Sequence, residues 1–266
     1  MSAGALRETA IRAARIGGEV LLGKRREAGR AIHRKGDRDF VTDADRAAQA
    51  AIVAFLRGRH PEDSIRAEED LEIGAGGKRT WVIDPLDGTT NFIHGYPCFS
   101  VSVAVLEGRE VLAGAVYDPT RDEMFEAGAG AGARGNGEPL RVSPVRDLDD
   151  ALLVTGFPFR EPQRLEEFLV DFTSLFRRAS DIRRDGSAAL DLCYVAAGRL
   201  DGFWERGLSA WDVAAGSLLV REAGGKVTDL RGGDTHLETG DLLAANAEVH
   251  SGMLAILARN PFRRGT

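Results

Sequence analysis

Residues 81–92 read Trp81-Val82-Ile83-Asp84-Pro85-Leu86-Asp87-Gly88-Thr89-Thr90-Asn91-Phe92. The apolar run at the start predicts a short buried strand. Pro85 has no backbone N–H, which favours an end of the strand at that point. Gly88 permits a tight turn, and Thr89 and Thr90 are suited to cap a following helical turn.

The same segment carries candidate chemistry. Asp84 and Asp87 would repel each other at the end of a buried strand unless a cation lay between them. Mg²⁺ prefers oxygen ligands, and the Leu86 carbonyl could add to the two carboxylates. Backbone N–H groups of Gly88, Thr89 and Thr90 at a helix N-terminus would suit a phosphate. The alternative is a turn with two ordinary turn aspartates.

The sequence before residue 145 predicts helices followed by a meander of strands. Helical spacing of apolar residues predicts helices over about 3–27 and about 43–59, the second with Thr42-Asp43 as N-cap residues. Runs at 99–106 and 111–117 flank Glu107-Gly108-Arg109, which is typical of a hairpin turn. Met124 to Glu126 predicts another short strand, and Gly128 to Gly137 a loop. We expect an antiparallel sheet covered on one face by two helices.

After about residue 146 the predicted elements alternate between strand and helix. Strands are predicted at 152–154, 181–182, 202–204, 226–228 and 242–245, and helices at 165–176, 188–197, 212–223 and 248–259. Such alternation predicts helices on a largely parallel sheet. We therefore expect an α/β (α+β) fold over residues 1–266, one compact domain of two lobes, about 1–145 and 146–266.

Composition narrows the class of protein. The net charge is -6, which argues against nucleic acid as the main partner. Basic residues in the segment 24–38 and in the pairs Arg177-Arg178 and Arg183-Arg184 are interpreted as solvated surface. Two distant cysteines and no signal-like or membrane-spanning apolar run predict a cytoplasmic protein without membrane attachment.

Three further acidic positions are candidates for the same site. Glu68 lies in the acidic triplet Glu68-Glu69-Asp70, which by itself is typical of a solvated loop. Asp212, in Trp211-Asp212-Val213-Ala214-Ala215-Gly216, is expected to be a helix N-cap and could also bind a cation. Asp45 is expected in the first turn of a helix, either as an ordinary first-turn acid or as a support for a site residue.

Three of these segments, in this order, resemble motifs of the inositol monophosphatase family, in particular the bacterial inositol-1-monophosphatases: Ala67-Glu68-Glu69, residues 84–92, and Trp211 to Gly216. The family usually has Gly where this chain has Ala67. The resemblance covers nearly the whole chain and implies a layered αβαβα sandwich. It also implies Mg²⁺ as cofactor, with Mn²⁺ as a possible substitute, inhibition by Li⁺, and a homodimer.

The resemblance also implies roles for individual residues. Metal ligands would be Glu68, Asp84, the Leu86 carbonyl, Asp87 and Asp212. Glu68 and Thr89 would orient the attacking water, and Asp45 would support Thr89. The phosphate would lie on Gly88, Thr89 and Thr90, and the substrate hydroxyls would contact Gly186, Ser187, Ala188, Glu205 and Asp212.

The implied activity is Mg²⁺-dependent hydrolysis of a small phosphorylated polyol or sugar. Thr89-Thr90-Asn91-Phe92 resembles the subgroup acting on myo-inositol monophosphate. Fructose 1,6-bisphosphate, histidinol phosphate and a 3'-phosphonucleotide remain alternatives. A non-catalytic binding or regulatory protein on the same fold is the alternative of another class.

Overall fold

The computed structural model describes residues 2–26, 32–36, 39–69, 71–74, 76–158 and 161–263. The helices are α1 (Ala3–Arg26), α2 (Asp43–Arg59), α3 (Thr89–His94), α4 (Leu165–Phe176), α5 (Ala188–Ala196), α6 (Ala210–Glu222), α7 (His236–Thr239) and α8 (Ala247–Leu257). The helices predicted from apolar spacing are confirmed, with ends that differ by up to two residues.

The larger sheet has strand order β10-β9-β8-β7-β6-β5-β3-β4. Its strands are β3 (Ser64–Ala67), β4 (Leu71–Ile73), β5 (Arg79–Asp87), β6 (Ser100–Glu107), β7 (Glu110–Asp118), β8 (Glu123–Gly128), β9 (Ala133–Gly135) and β10 (Glu138–Pro139). The predicted antiparallel meander is confirmed from β5 to β8. The pairing of β3 with β5 is parallel, so the sheet is mixed at that side.

The smaller sheet has strand order β12-β11-β13-β15-β14. Its strands are β11 (Leu152–Thr155), β12 (Asp181–Arg183), β13 (Gly202–Glu205), β14 (Lys226–Thr228) and β15 (Leu242–Ala245). The predicted largely parallel sheet is confirmed for four of its five strands, and β15 runs in the opposite direction. β11 pairs in parallel with β12 and β13, whereas β15 pairs antiparallel with β13 and β14. Alternation of strands and helices does not reveal that β15 is reversed.

The helices and sheets stack as α, β, α, β, α. Helices α1 and α2 pack on one face of the larger sheet, α5 and α6 lie between the two sheets, and α8 covers the far face of the smaller sheet with α4 against it. Gly216 lets α6 approach α5, because a Cβ at this position would stand 2.6 Å from Leu192. The predicted layered αβαβα sandwich is confirmed.

Strand β5 is apolar at successive residues because its side chains point alternately to the two faces of the sheet, and both faces are buried. Trp81 and Ile83 belong to the apolar cluster under α1 and α2, whereas Val82 belongs to the cluster that faces α5 and α6. Side chains on successive strand residues point to opposite faces, so a strand buried on both sides is continuously apolar. This burial places the end of β5, with Asp84 and Asp87, between the layers.

Strand β5 does not end at Pro85 as predicted but continues to Asp87. The pairing with β6 shifts register between Asp84 and Asp87, and Pro85 lies within that shift. A bulge leaves residues out of the ladder, so the missing N–H of Pro85 costs no ladder hydrogen bond there.

Several secondary-structure elements were not predicted from the sequence. Strands β3 and β4 and the hairpin of β1 (Ile32–Gly36) with β2 (Asp39–Thr42) were not predicted, and the predicted loop at 128–137 contains β9.

Of the basic segment 24–38, residues 27–31 and 37–38 lie outside the described residues, as does Asp70. Cys98 and Cys193 are buried and unbridged. None of the described helices combines the length and apolarity needed to cross a bilayer.

Candidate active site

A pocket of about 360 Å³ opens where the end of β5 meets the N-termini of α3, α5 and α6. All but one of the site residues predicted from the sequence line it: Glu68, Asp84, Leu86, Asp87, Gly88, Thr89, Thr90, Gly186, Ser187, Ala188, Glu205 and Asp212. Asp45 lies behind the pocket, against Thr89. The structure thus brings together acids from distant parts of the chain.

Asp84 and Asp87 are buried, and each has one oxygen held by its surroundings. Asp84 Oδ1 accepts a hydrogen bond of 2.9 Å from the Leu86 N–H. Asp87 Oδ2 accepts from Ser187 Oγ at 2.6 Å and from the Ala189 N–H at 2.8 Å. Burial, followed by the charges of Glu68 and Asp87, raises the pKa of Asp84 well above its usual range. Burial likewise raises the pKa of Asp87 to about 6, against the lowering effect of the Ser187 bond.

Asp212 is not the N-cap of α6, as the sequence predicts, but lies in the first turn of that helix. The helix begins at Ala210, with Ser209 as its N-cap residue. Asp212 Oδ2 accepts a hydrogen bond of 2.7 Å from the Ser209 N–H, which is the reciprocal half of a capping box. This bond fixes the carboxylate where α6 meets the pocket.

Thr89 and Asp45 form a hydrogen-bonded pair. Thr89 Oγ1 lies 3.2 Å from Asp45 Oδ1 and 3.1 Å from the Leu86 carbonyl oxygen. The other oxygen of Asp45 accepts from the Thr42 N–H at 2.9 Å and from Thr42 Oγ1 at 2.6 Å. Burial raises the pKa of Asp45 to about 6, and the Thr42 bonds oppose this rise. Both oxygens of Asp45 are therefore used to hold the start of α2 and Thr89 together.

Gly88 is the N-cap of α3, which corrects the prediction that Thr89 or Thr90 caps this helix by its side chain. Gly88 has φ 94°, in the left-handed region. A Cβ there would stand 2.9 Å from the Cys98 carbonyl oxygen and 3.2 Å from that of Gly186. A side chain would therefore be strained in this turn, which is the link between β5 and the hydroxyl pair.

Gly88→Ala should lower the free energy of unfolding by about 1–3 kcal/mol, because a Cβ adds both left-handed strain and contact with two carbonyl groups. Gly108→Ala is the matched control, since Gly108 also has positive φ (61°) but its Cβ would meet open space. Urea unfolding of both variants measures the difference. Equal losses would show that the close approach at Gly88 contributes nothing.

Asn91 joins the loop before α5 to the turn after β5, a role that sequence reasoning missed. Its Nδ2 donates to the Cys98 carbonyl at 2.7 Å and to the Asp185 carbonyl at 2.8 Å. These bonds tie residues 185–186 to the segment that follows α3. The signal was present in the sequence as Asn91 within the motif, but its partners are 94 residues away in one case.

The outer wall of the pocket contains residues that the sequence did not assign to a site: Gly156, Phe157, Pro158, Glu161, Arg184, Arg206, Gly207 and Leu208. Arg184 is exposed, as the interpretation of its pair as solvated surface requires, but it also lines the pocket. The guanidinium of Arg184 lies over the Phe157 ring, 5.4 Å from its centroid. These residues come from loops at the carboxyl ends of β11, β12 and β13. Loop residues without a dense motif give no sequence signal, so only the fold identifies them.

The donor set fits a hard cation such as Mg²⁺, since it consists of carboxylates and one carbonyl. A cation would also offset the burial and mutual repulsion that raise the pKa values of Asp84 and Asp87. In the described part of the chain, however, no three acidic, His or Cys side chains are grouped closely enough to ligate one ion as they stand. Binding of an ion by three carboxylates would therefore draw the side chains together.

The family model described as the inositol monophosphatase family matches residues 4–261. The chain belongs to the inositol monophosphatase family. Its curated relatives include Nus factor SuhB of Escherichia coli strain K12, which is 50% identical over 250 residues, 92% of this chain and 93% of the relative.

Solved structures of the family agree with this fold. Extragenic suppressor protein suhB from Bartonella henselae is 40% identical, with a TM-score of 0.92 over 96% of this chain and 99% of that chain. Inositol monophosphatase from Anabaena (Nostoc) sp. PCC 7120 is 40% identical, with a TM-score of 0.88 over 97% of each chain. Membership of the inositol monophosphatase family supports a phosphatase in general, with a metal and a phosphorylated substrate, and leaves the substrate open.

Proposed function

We propose that this chain is a Mg²⁺-dependent phosphomonoesterase that hydrolyses myo-inositol monophosphate, or a similar polyol or sugar phosphate, to the alcohol and inorganic phosphate. The observation that carries the proposal is the convergence of Glu68, Asp84, Asp87 and Asp212 on one pocket, beside the N-terminus of α3. Carboxylates alone would repel a phosphate, so a pocket lined by these four acids suits a phosphate when cations lie between the carboxylates and the phosphate.

The residues that would hold the cation are Glu68, Asp84, Asp87, Asp212 and the Leu86 carbonyl. When bound, Mg²⁺ supplies Lewis-acid polarisation of a phosphoryl oxygen and charge stabilisation of the leaving oxygen. The hydrogen bonds to Asp84, Asp87 and Asp212 keep one oxygen of each carboxylate fixed, which orients the other. First-turn N–H groups of α3 are suited to bind the phosphate itself.

Glu68 and Thr89 are suited to orient the attacking water. Thr89 Oγ1 has two acceptors within 3.2 Å, Asp45 Oδ1 and the Leu86 carbonyl, so its hydroxyl proton is directed to one of them. The Thr89 oxygen can then accept a hydrogen bond from one O–H of the water, and Glu68 can accept a hydrogen bond from the other O–H. The water would be held in line with the phosphoryl group, which is the main requirement of such a transfer.

The outer wall favours a substrate with hydroxyl groups over one with a second phosphate. Glu205 and Glu161 both line the pocket there, and their carboxylates can accept hydrogen bonds from hydroxyls. A second phosphate would be repelled by both, although Arg184 and Arg206 lie in the same wall. The charge of Arg206 is already balanced by ion pairs with Glu167, Asp171 and Asp241. Fructose 1,6-bisphosphate and a 3'-phosphonucleotide are therefore less favoured than inositol monophosphate. Histidinol phosphate remains an alternative.

A substrate panel tests the proposal. With Mg²⁺, we expect kcat/KM for myo-inositol monophosphate to exceed that for histidinol phosphate, fructose 1,6-bisphosphate and a 3'-phosphonucleotide. We expect phosphate release to stop when Mg²⁺ is removed by a chelator, to return in part with Mn²⁺, and to fall with Li⁺.

A preference of more than tenfold for one of the other three substrates would overturn the substrate assignment. Phosphate release that persisted in chelator would overturn the metal dependence. The homodimer is part of the same proposal, with light scattering as its measurement. We also infer that the described part of the chain forms one body of two lobes, because one apolar cluster contains Phe125 of the larger sheet and Phe203 of the smaller sheet.

The name of the relatives favours a second candidate function. A relative at 50% identity is named a Nus factor, so this chain is also a candidate Nus factor. The expectation, from the net charge, that nucleic acid is not the main partner stays a prediction. The test is replacement of SuhB in Escherichia coli K12 by this chain and by its Asp87→Asn variant. Replacement by both would support a non-catalytic role, and replacement by neither would remove this candidate.

A further inference from the structure

Helix α2 presents two polar side chains, Asp45 and Gln49, one turn apart on its buried face. Asp45 contacts Thr89, as described above. Gln49 is 9% exposed and contacts the backbone of Glu69 with both atoms of its amide. Its Nε2 donates to the Glu69 carbonyl at 3.2 Å, and its Oε1 accepts from the Glu69 N–H at 3.2 Å.

The contact bears directly on Glu68, because Glu68 comes immediately before the residue that Gln49 holds. On its other side, Glu68 follows the last residue of β3, and its N–H donates to the Ile83 carbonyl at 3.1 Å. The backbone at Glu68 is thus fixed by the sheet on one side and by Gln49 on the other. The Gln49 amide accepts one hydrogen bond and donates one, and these hold the two peptide units on either side of the Glu69 Cα, the first of which is the peptide between Glu68 and Glu69.

We propose that Gln49 is a positioning residue for Glu68, so that α2 orients both members of the water-holding pair: Thr89 through Asp45, and Glu68 through Gln49. The inference rests on the proposed function for the role of Glu68, and on the hydrogen bonds alone for its position. Gln49 does not line the pocket, so it acts only through Glu68.

The kinetic test is Gln49→Met, which keeps the length of the side chain and removes both hydrogen bonds. We expect kcat for the substrate that the wild-type chain turns over best to fall between about tenfold and a hundredfold, since a small misplacement of an orienting group has this effect. We expect KM to stay within about twofold, because the residues proposed to contact the substrate hydroxyls are not touched by Gln49. Ala50→Met, an exposed position on the same helix, is the matched control and should retain the wild-type kcat.

Two measurements test the position of Glu68 without turnover. Hydrogen–deuterium exchange should be faster in residues 64–74 of Gln49→Met than in the wild type, and unchanged in α5 and α6. Calorimetric titration should show that Mn²⁺ binds several-fold more weakly to Gln49→Met, that is, with a larger Kd, since Glu68 is a proposed metal ligand. Gln49→Ser, a smaller side chain on the same face, serves if Gln49→Met does not fold.

Unchanged exchange in residues 64–74 together with unchanged kcat would overturn the inference. A rise in KM at constant kcat would also overturn it, because it would place Gln49 in substrate binding. If the wild-type chain released no phosphate from any substrate, the proposed function would fail, and the exchange and Mn²⁺ measurements would still decide whether Gln49 positions Glu68.

Discussion

Asp87→Asn should reduce kcat for Mg²⁺-dependent phosphate release by about a thousandfold. The substitution removes a negative charge that faces the proposed cation, and electrostatic contributions of this kind are worth several kcal/mol, at about 1.4 kcal/mol for each factor of ten. The shape of the site should persist, because an amide oxygen can still accept from Ser187 and Ala189. Steady-state kinetics over a range of Mg²⁺ concentrations measures the loss.

Without metal, the variant should be at least as stable as the wild type. Because burial raises the pKa of Asp87 to about 6 in the folded chain, its ionised form opposes folding. This cost is absent below the usual pKa of an aspartate and grows as the pH rises through 6. The stability gained by Asp87→Asn in chelator should therefore be larger at pH 8 than at pH 4, as measured by urea unfolding.

Asp118→Asn provides the control for a buried aspartate outside the pocket. Asp118 is fully buried and accepts hydrogen bonds from Thr120 and from the Arg121 side chain at 2.8 Å. This variant should lose stability and keep its activity per folded molecule. An Asp87→Asn enzyme with near-wild-type kcat would contradict the assignment of the site.

Arg206→Met should lower the free energy of unfolding by about 3–5 kcal/mol, the largest stability effect that we expect. The Arg206 side chain is 2% exposed and forms ion pairs with Glu167 at 2.7 Å, with Asp171, and with Asp241 at 3.4 Å. Removing the cation would take away the charge that balances Asp171, whose side chain is 1% exposed, and Asn260 would remain as a neutral donor to it. Such a loss is costly even where the intact pair contributes little. Glu167 and Asp241 are partly exposed and keep their ion pairs with Arg164. Denaturant unfolding of the variant gives the value.

Arg199→Met is the matched control on the surface. Arg199 pairs with Glu123, but its side chain is 48% exposed, and such a pair contributes about 1 kcal/mol or less. Arg206 also follows Glu205 directly, at the outer wall of the pocket, so Arg206→Met should raise KM for a polyol phosphate. A loss of stability no larger than that of Arg199→Met would show that Asp171 and its neighbours reorganise without cost.

Local sequence was sufficient for much of the architecture. Apolar spacing predicted α4 at its observed bounds and the ends of α2 within a residue, because these amphipathic helices follow from periodicity alone. The hairpin of β6 and β7 was predicted from its turn residues and β-branched runs. The bulge at Pro85 and the short strands β3 and β4 were not, since they depend on pairing with β5 and β6.

The sequence by itself determined the acids of the candidate site, because Asp84, Asp87 and Asp212 stand at element ends that local patterns mark. Local patterns did not bring these acids together with Glu68; the resemblance to the family implied it, and the tertiary structure places them in one pocket. Only the tertiary structure decided that Ser209 rather than Asp212 caps α6. It also decided the outer wall and the contact between Gln49 and Glu69, 20 residues apart. The physical reason is that contacts between distant residues depend on how helices and sheets pack, and packing leaves no periodic signal in the chain.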